Sequence, residues 1–148
     1  MKYTVIIEKA PNNYSAFSPD VLGCISVGDT LEEMRLMIRE ALEFHLEGML
    51  LDGHPIPEPT ARIETLEAAG QEYVVVYEKG LKNYAAYVPD FAHECDEVTG
   101  DSFEEVERDF KQAFADYLSA KERKGDPLPE PSSWAETMEI PHPSEVPA

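Results

Sequence analysis

The strongest constraint on this chain is that it matches itself. A shift of 70 residues places Tyr3, Val5, Glu8, Lys9, Asn13, Tyr14, Ala16, Pro19 and Asp20 on Tyr73, Val75, Glu78, Lys79, Asn83, Tyr84, Ala86, Pro89 and Asp90. The offset then grows to 72, and Gly28, Asp29, Glu32, Glu33, Ala41 and Leu46 fall on Gly100, Asp101, Glu104, Glu105, Ala113 and Leu118. Gly53-His54-Pro55-Ile56-Pro57-Glu58-Pro59-Thr60 falls on Gly125-Asp126-Pro127-Leu128-Pro129-Glu130-Pro131-Ser132. Glu64, Thr65 and Glu67 fall on Glu136, Thr137 and Glu139. A match sustained across the chain with a single two-residue insertion points to a tandem duplication. The repeated unit, about 70 residues, is near the lower size for a domain that folds unaided. The expected divisions are a first unit over 1–69, a second over 70–140 and a proline-rich acidic tail over 141–148.

Each unit reads as β-β-β-α-β, an α+β arrangement with a small antiparallel sheet packed on one helix. Tyr3–Glu8 is β-branched and of strand length, and Pro11-Asn12-Asn13 is a turn. Strands follow at Tyr14–Ser18 and Cys24–Val27. Thr30-Leu31-Glu32-Glu33 is a capping box, with Thr30 accepting the N–H of Glu33 and Glu33 reaching back to the N–H of Thr30. Ser102-Phe103-Glu104-Glu105 does the same in the second unit. The first helix runs to about Asp52, where Gly53 closes it. The proline-rich segment that follows reads as a crossover from helix to strand rather than a polyproline ligand. Fourth strands are expected near Ala61–Leu66 and Ala135–Ile140.

The two helices share one apolar stripe and differ elsewhere. Leu31, Met34, Ile38, Ala41, Leu42 and His45 match Phe103, Val106, Phe110, Ala113, Phe114 and Tyr117, the expected core face. The first helix adds Leu36, Met37, Phe44, Met49, Leu50 and Leu51, where the second has Arg108, Asp109, Asp116, Lys121, Glu122 and Arg123. A helix apolar on two faces is usually covered on both. The cover could be the second unit, a second copy of the chain or a foreign partner. Met37, Phe44, Met49 and Leu50 are the candidate partner-binding residues.

Charge narrows the partner. There are 30 acidic and 12 basic side chains, a net charge of −18. Both halves carry the surplus: 12 acids against 5 bases over 1–69, and 18 against 7 over 70–148. Nucleic-acid and anionic-membrane surfaces are disfavoured, and a basic partner is favoured. The N-terminus reads directly into a strand, without the apolar run of a signal peptide. With Cys24 and Cys95 alone, no disulfide framework is expected, and a reduced, cytoplasmic setting is the default.

No cofactor is expected, since no Walker loop, dinucleotide glycine fingerprint, nucleophile elbow or paired CxxC is found. The recurring carboxylates Glu8/Glu78, Asp20/Asp90 and Asp29/Asp101 could line a metal-dependent nuclease, but turns and helix caps account for the aspartates. A metal site from His93, Cys95, His54 or Cys24 is a weak pattern beside the reading of Cys24 as a small apolar filler. No metal site and no enzymatic activity are therefore expected. His45 reads as a buried or half-buried core histidine with one hydrogen bond. Tyr14, Tyr84 and Trp134 suit either a binding edge or sheet packing.

The first unit resembles the HicB antitoxin family. The matching residues are Tyr3–Glu8, Pro19-Asp20-Val21-Leu22-Gly23-Cys24, Gly28-Asp29-Thr30-Leu31-Glu32-Glu33, the helix and Gly53-x-Pro55-Ile56-Pro57-Glu58-Pro59. The second unit departs from the pattern: His93 replaces the glycine, its turn is two residues longer, and Ser102 replaces the capping threonine. The resemblance implies a partial RNase H-like fold and a bacterial type II toxin–antitoxin role. The partner would be a small basic mRNA-cleaving toxin, HicA-like, and self-association is the other expectation. Many members add a DNA-binding module. Residues 125–148, with their prolines and acids, do not fit one. The alternative reading is an orphan HicB-like structural or regulatory module without a toxin.

Overall fold

The computed structural model describes residues 1–92 and 94–145. The elements are β1 (Lys2–Lys9), β2 (Tyr14–Phe17), β3 (Ile25–Gly28), α1 (Leu31–Leu51), β4 (Arg62–Ala68), β5 (Gln71–Lys79), β6 (Tyr84–Tyr87), β7 (Val98–Gly100), α2 (Phe103–Lys124) and β8 (Ser133–Glu139). Single 3-10 turns lie at Pro89–Phe91 and Pro143–Glu145. Two four-stranded sheets form, in the orders β3-β2-β1-β8 and β4-β5-β6-β7. The α+β class and the β-β-β-α order of both units agree with expectation.

The unit boundaries do not. Unit 1 comprises Met1–Thr60 together with the segment from Trp134 onward, and unit 2 comprises Ala61–Ser133. Divisions at 69/70 and 140/141 would have left each fourth strand with its preceding helix. Instead, β4 pairs antiparallel with β5 from Arg62↔Tyr77 to Ala68↔Gln71. Only Ala69 and Gly70 join them, at φ 52° and 76°. Positive φ at both central residues is the primed turn that suits a tight hairpin. A strand held by a two-residue loop must pair with the strand that follows it. β8 takes the corresponding place beside β1. There Ile140 N–H donates to Met1 O at 2.7 Å and Met1 N donates to Ile140 O at 2.8 Å.

Side chains of α1 hold β8. Arg35 donates from Nε and Nη2 to the two carboxylate oxygens of Glu136, at 2.9 and 2.6 Å. Arg39 donates to Glu139 O at 2.8 Å, and Trp134 Nε1 donates to Glu136 at 2.9 Å. The bond from Arg35, seconded by that from Trp134, holds the Glu136 carboxyl below the usual glutamate range. A carboxylate depressed in the folded state stabilises above its unfolded pKa, and that stabilisation fades as pH falls through the folded value. Glu136→Gln is therefore expected to lower stability at neutral pH and to narrow its gap from wild type under acid conditions. Urea midpoints at the two pH values check this.

Each unit has its own core. In unit 1 Tyr3, Val5 and Ile7 alternate inward from β1 and meet Met34, Ile38, Leu42 and Leu46 of α1, with Met138 and Ile140 from the β8 segment. In unit 2 Tyr73, Val75 and Tyr77 meet Val106, Phe110 and Phe114. Phe91 packs against the rings of Tyr73, Phe114 and Tyr117 at 4.6, 5.8 and 5.0 Å. The expected stripe is correct in period, with Leu46 joining it and His45 half-buried. Tyr14 and Trp134 pack edge to face, as do Tyr84 and Phe103, so the three aromatics serve packing within their units.

Local chemistry repeats between the units. Thr30 accepts the N–H of Glu33, and Ser102 that of Glu105, both at 3.1 Å. The glutamates reach back one residue further than expected, to the N–H groups of Asp29 and Asp101. Gly28 ends β3 so close to α1 that a Cβ there would lie 2.8 Å from Met34 N, which excludes a larger residue. The proline segments are crossovers held at both ends. Tyr3 Oη donates to Pro57 O at 2.5 Å and Tyr73 Oη to Pro129 O at 2.6 Å. Asp20 Oδ1 accepts from Thr60 N and Oγ1, and Asp90 Oδ1 accepts from Ser132 N and Oγ. Burial, with Asp20 and Glu58 nearby, pushes the Tyr3 hydroxyl pKa up to about 12, so it stays a donor. Within the expected tail over 141–148, Pro143 is buried in unit 1.

Candidate protein-binding surface

The recurring carboxylates have structural duties. Asp20 and Asp90 pin the crossovers, and Asp29 and Asp101 present capped amides. Among the described residues no group of three or more His, Cys, Asp or Glu could hold a metal ion. Cys24 is a buried filler of the unit 1 core, and His93 lies outside the described residues.

The outward face of α1 is the least expected surface. Of the four candidate residues, Met37, Phe44 and Leu50 are exposed. Met49 is not in that set: it packs half-buried against the unit 1 core. At the positions of His45 and Met49, unit 2 carries Tyr117 and Lys121, both bonded to Glu94 at 2.5 and 2.7 Å. Lys121 and Tyr117 hold the Glu94 carboxyl below its ordinary value. Leu36 and Leu51 complete the exposed set on α1, with Phe44 79% and Leu51 80% accessible.

The pattern on this face follows from helix geometry. Met37, Phe44 and Leu51 recur every seven residues, two helical turns apart, and form one line about 21 Å long. Glu33, Glu40 and Glu47 recur with the same spacing and run beside that line. The arginines of α1, Arg35 and Arg39, are both committed to β8. An apolar line bordered by carboxylates is what remains outward, with Glu33 also accepting from Asp29 N–H.

A second exposed apolar set lies on β3 and in the turn before it, and was not anticipated as a site. Leu22, Ile25 and Val27 are exposed, Ile25 at 68%. The signal was present as an alternation, because Ile25 and Val27 point away from the core while Cys24 and Ser26 point into it.

These features define a pair of small α+β units that carry exposed apolar surfaces on α1 and at β3. Residues 3–77 match the model of the HicB-like antitoxin of bacterial toxin–antitoxin systems, and the chain belongs to that family. It is 48% identical over 58 residues to an uncharacterised 14.9 kDa protein of Haemophilus phage HP1, covering 39% of this chain and 44% of that protein. The chain thus spans less than half of the phage relative's length. It is 38% identical over 65 residues to a UPF0150 protein of Synechocystis, covering 43% of this chain and 82% of that one. A UPF0150 protein of Thermoplasma acidophilum is 35% identical over its whole length, covering 46% of this chain. A chain from a solved HicA3 and HicB3 toxin–antitoxin complex aligns at 30% identity and a TM-score of 0.37, over 40% of this chain and 69% of that one. Among the described residues no helix is long and apolar enough to cross a membrane.

Proposed function

We propose that this chain is a non-enzymatic cytoplasmic antitoxin that binds and neutralises a small basic mRNA-cleaving toxin through the outward face of α1. The observation that carries this reading is the Met37–Phe44–Leu51 line with its border of Glu33, Glu40 and Glu47. Apolar anchors supply affinity, while the carboxylates speed encounter with a basic surface and reject acidic ones. Two copies meeting through this face would set glutamate against glutamate, since Arg35 and Arg39 are occupied. Met37 and Phe44 are the proposed anchors and Leu50 a flanking contact. Met49 supports the face from below.

Co-expression with each small basic protein encoded beside this gene tests the reading, and the absence of any such neighbour counts against it. Wild type is expected to co-purify with one such neighbour and to relieve its growth inhibition. The pair Met37→Asp and Phe44→Asp is expected to weaken the complex by roughly a hundredfold or more. The circular dichroism spectrum should not change, because both positions are exposed. A growth-inhibiting neighbour that is neither bound nor relieved by the wild-type chain overturns the proposal.

A further inference from the structure

We propose that β3 of unit 1 is a self-association edge, pairing antiparallel with β3 of a second copy so that the two four-stranded sheets become continuous. β3 ends its sheet, with β2 as its neighbour on one side only. The β1–β2 hairpin closes with Ala10 N–H donating to Asn13 O at 2.9 Å. Counting outward from that bond through the observed registers, the antiparallel alternation turns the backbone groups of Ser26 and Gly28 toward β2. Those of Ile25 and Val27 then face outward. An edge of this kind is a template for another strand. A two-fold axis at Ser26 sets Ile25 opposite Val27 of the second copy, so that the outward N–H and C=O groups satisfy one another.

Charge selects the occupant. Leu22-Gly23-Cys24-Ile25-Ser26-Val27-Gly28 contains no ionisable acid or base at neutral pH. A basic partner gains nothing from this segment, while a second copy of a chain carrying −18 meets less repulsion here than at the glutamate rows of α1. The other sheet edges are guarded. β4 carries Arg62, Glu64 and Glu67, β8 carries Glu136 and Glu139, and the short β7 is flanked by Glu97 and Asp101. Charged side chains blunt an edge against pairing. With one inviting edge among the described residues the contact is isologous and closes at two copies instead of growing into a fibre.

The side chains agree with the backbone. Ile25 and Val27 are exposed on the sheet face opposite the unit core, and Phe17 stands across from Ile25 on β2. Pairing would place Ile25, Val27 and their symmetry mates as a cross-strand cluster of β-branched residues, a favourable combination on one face.

The dimer and the toxin complex respond to salt in opposite directions. Salt screens the repulsion between two acidic chains and leaves apolar and backbone contacts in place, so the dimer strengthens. The same screening weakens an acidic-to-basic complex. The test is sedimentation of the full chain at low and high salt. Wild type is expected at twice the 16.6 kDa chain mass, more completely at high salt. Ile25→Lys with Val27→Lys, at exposed positions, is expected to leave a folded monomer, and Phe44→Asp to leave the dimer intact. Val27→Pro, which removes an outward N–H, is expected to act like the lysine pair. A wild-type chain that is monomeric at both salt levels, or a dimer that the folded lysine variant preserves, overturns the proposal. Neither result bears on whether α1 binds a toxin.

Discussion

A chain ending at Ser132 is expected to keep unit 2 folded and to lose unit 1. The truncation takes away β8, and with it Met138 and fully buried Ile140 from a core otherwise built from residues 1–60. Loss of two such side chains costs about 4–10 kcal/mol together. A unit of this size has roughly that much stability in total. The truncation also uncovers the β1 edge and strips Arg35 of its carboxylate partner. Unit 2 loses nothing from its core, which lies within Ala61–Ser133. Amide exchange resolved by residue is the measurement. Protection should vanish in β1, β2 and α1 and persist in β5, β6 and α2, and a separate peptide spanning 133–148 should restore it. Undiminished protection in β1 would show that β8 is dispensable.

Phe91→Ala is expected to produce the mirror image, a collapse of unit 2 with unit 1 retained. Phe91 is 1% exposed and touches three other rings, with the Phe114 ring stacked at 10°. Truncating such a residue costs about 3–5 kcal/mol. Each aromatic pair contributes about 0.5–1.5 kcal/mol beyond burial. No polar group is orphaned, because the Tyr73 hydroxyl donates to Pro129 O and the Tyr117 hydroxyl to Glu94 independently of Phe91. Denaturant unfolding followed separately in each unit should show the unit 2 midpoint falling far below wild type. A shift under about 0.5 kcal/mol, the size of an ordinary surface change, would place Phe91 outside the cooperative core.

Much of this fold was legible from residue pattern. The stripe from Met34 to Leu42 set the buried face of α1 because a 3.6-residue period leaves few other solutions. The glycine-proline segments announced crossovers, and Tyr3 and Asp20 proved to be the groups that hold the first of them. The pairing of the fourth strands was hidden. It depends on Ala69 adopting a positive φ, which alanine rarely does and which no turn motif signals. Reading the repeat as a boundary at 69/70 therefore cut the chain inside its tightest turn. In the candidate site, Met37, Phe44 and Leu50 were readable as surplus apolar residues, whereas Met49, seven residues after Leu42 and four after His45, continues the core stripe and packs half-buried against it. The β3 edge escaped notice because its alternation covers only Ile25–Gly28, too short to stand out from a buried strand.

The exchange of fourth strands orders events during synthesis. Unit 2 is one continuous stretch whose pairings are mostly between neighbouring elements, so it can fold while the chain is still being made. Unit 1 must wait, with α1 long since emerged, until Trp134–Ile140 arrives to close a loop of more than a hundred residues, as the Arg35–Glu136 separation of 101 positions records. A nascent or prematurely stopped chain would thus display a finished second unit and an unfinished first. On the proposed reading, the helix face bearing Met37 and Phe44 would be ready to bind only once the β8 segment has emerged.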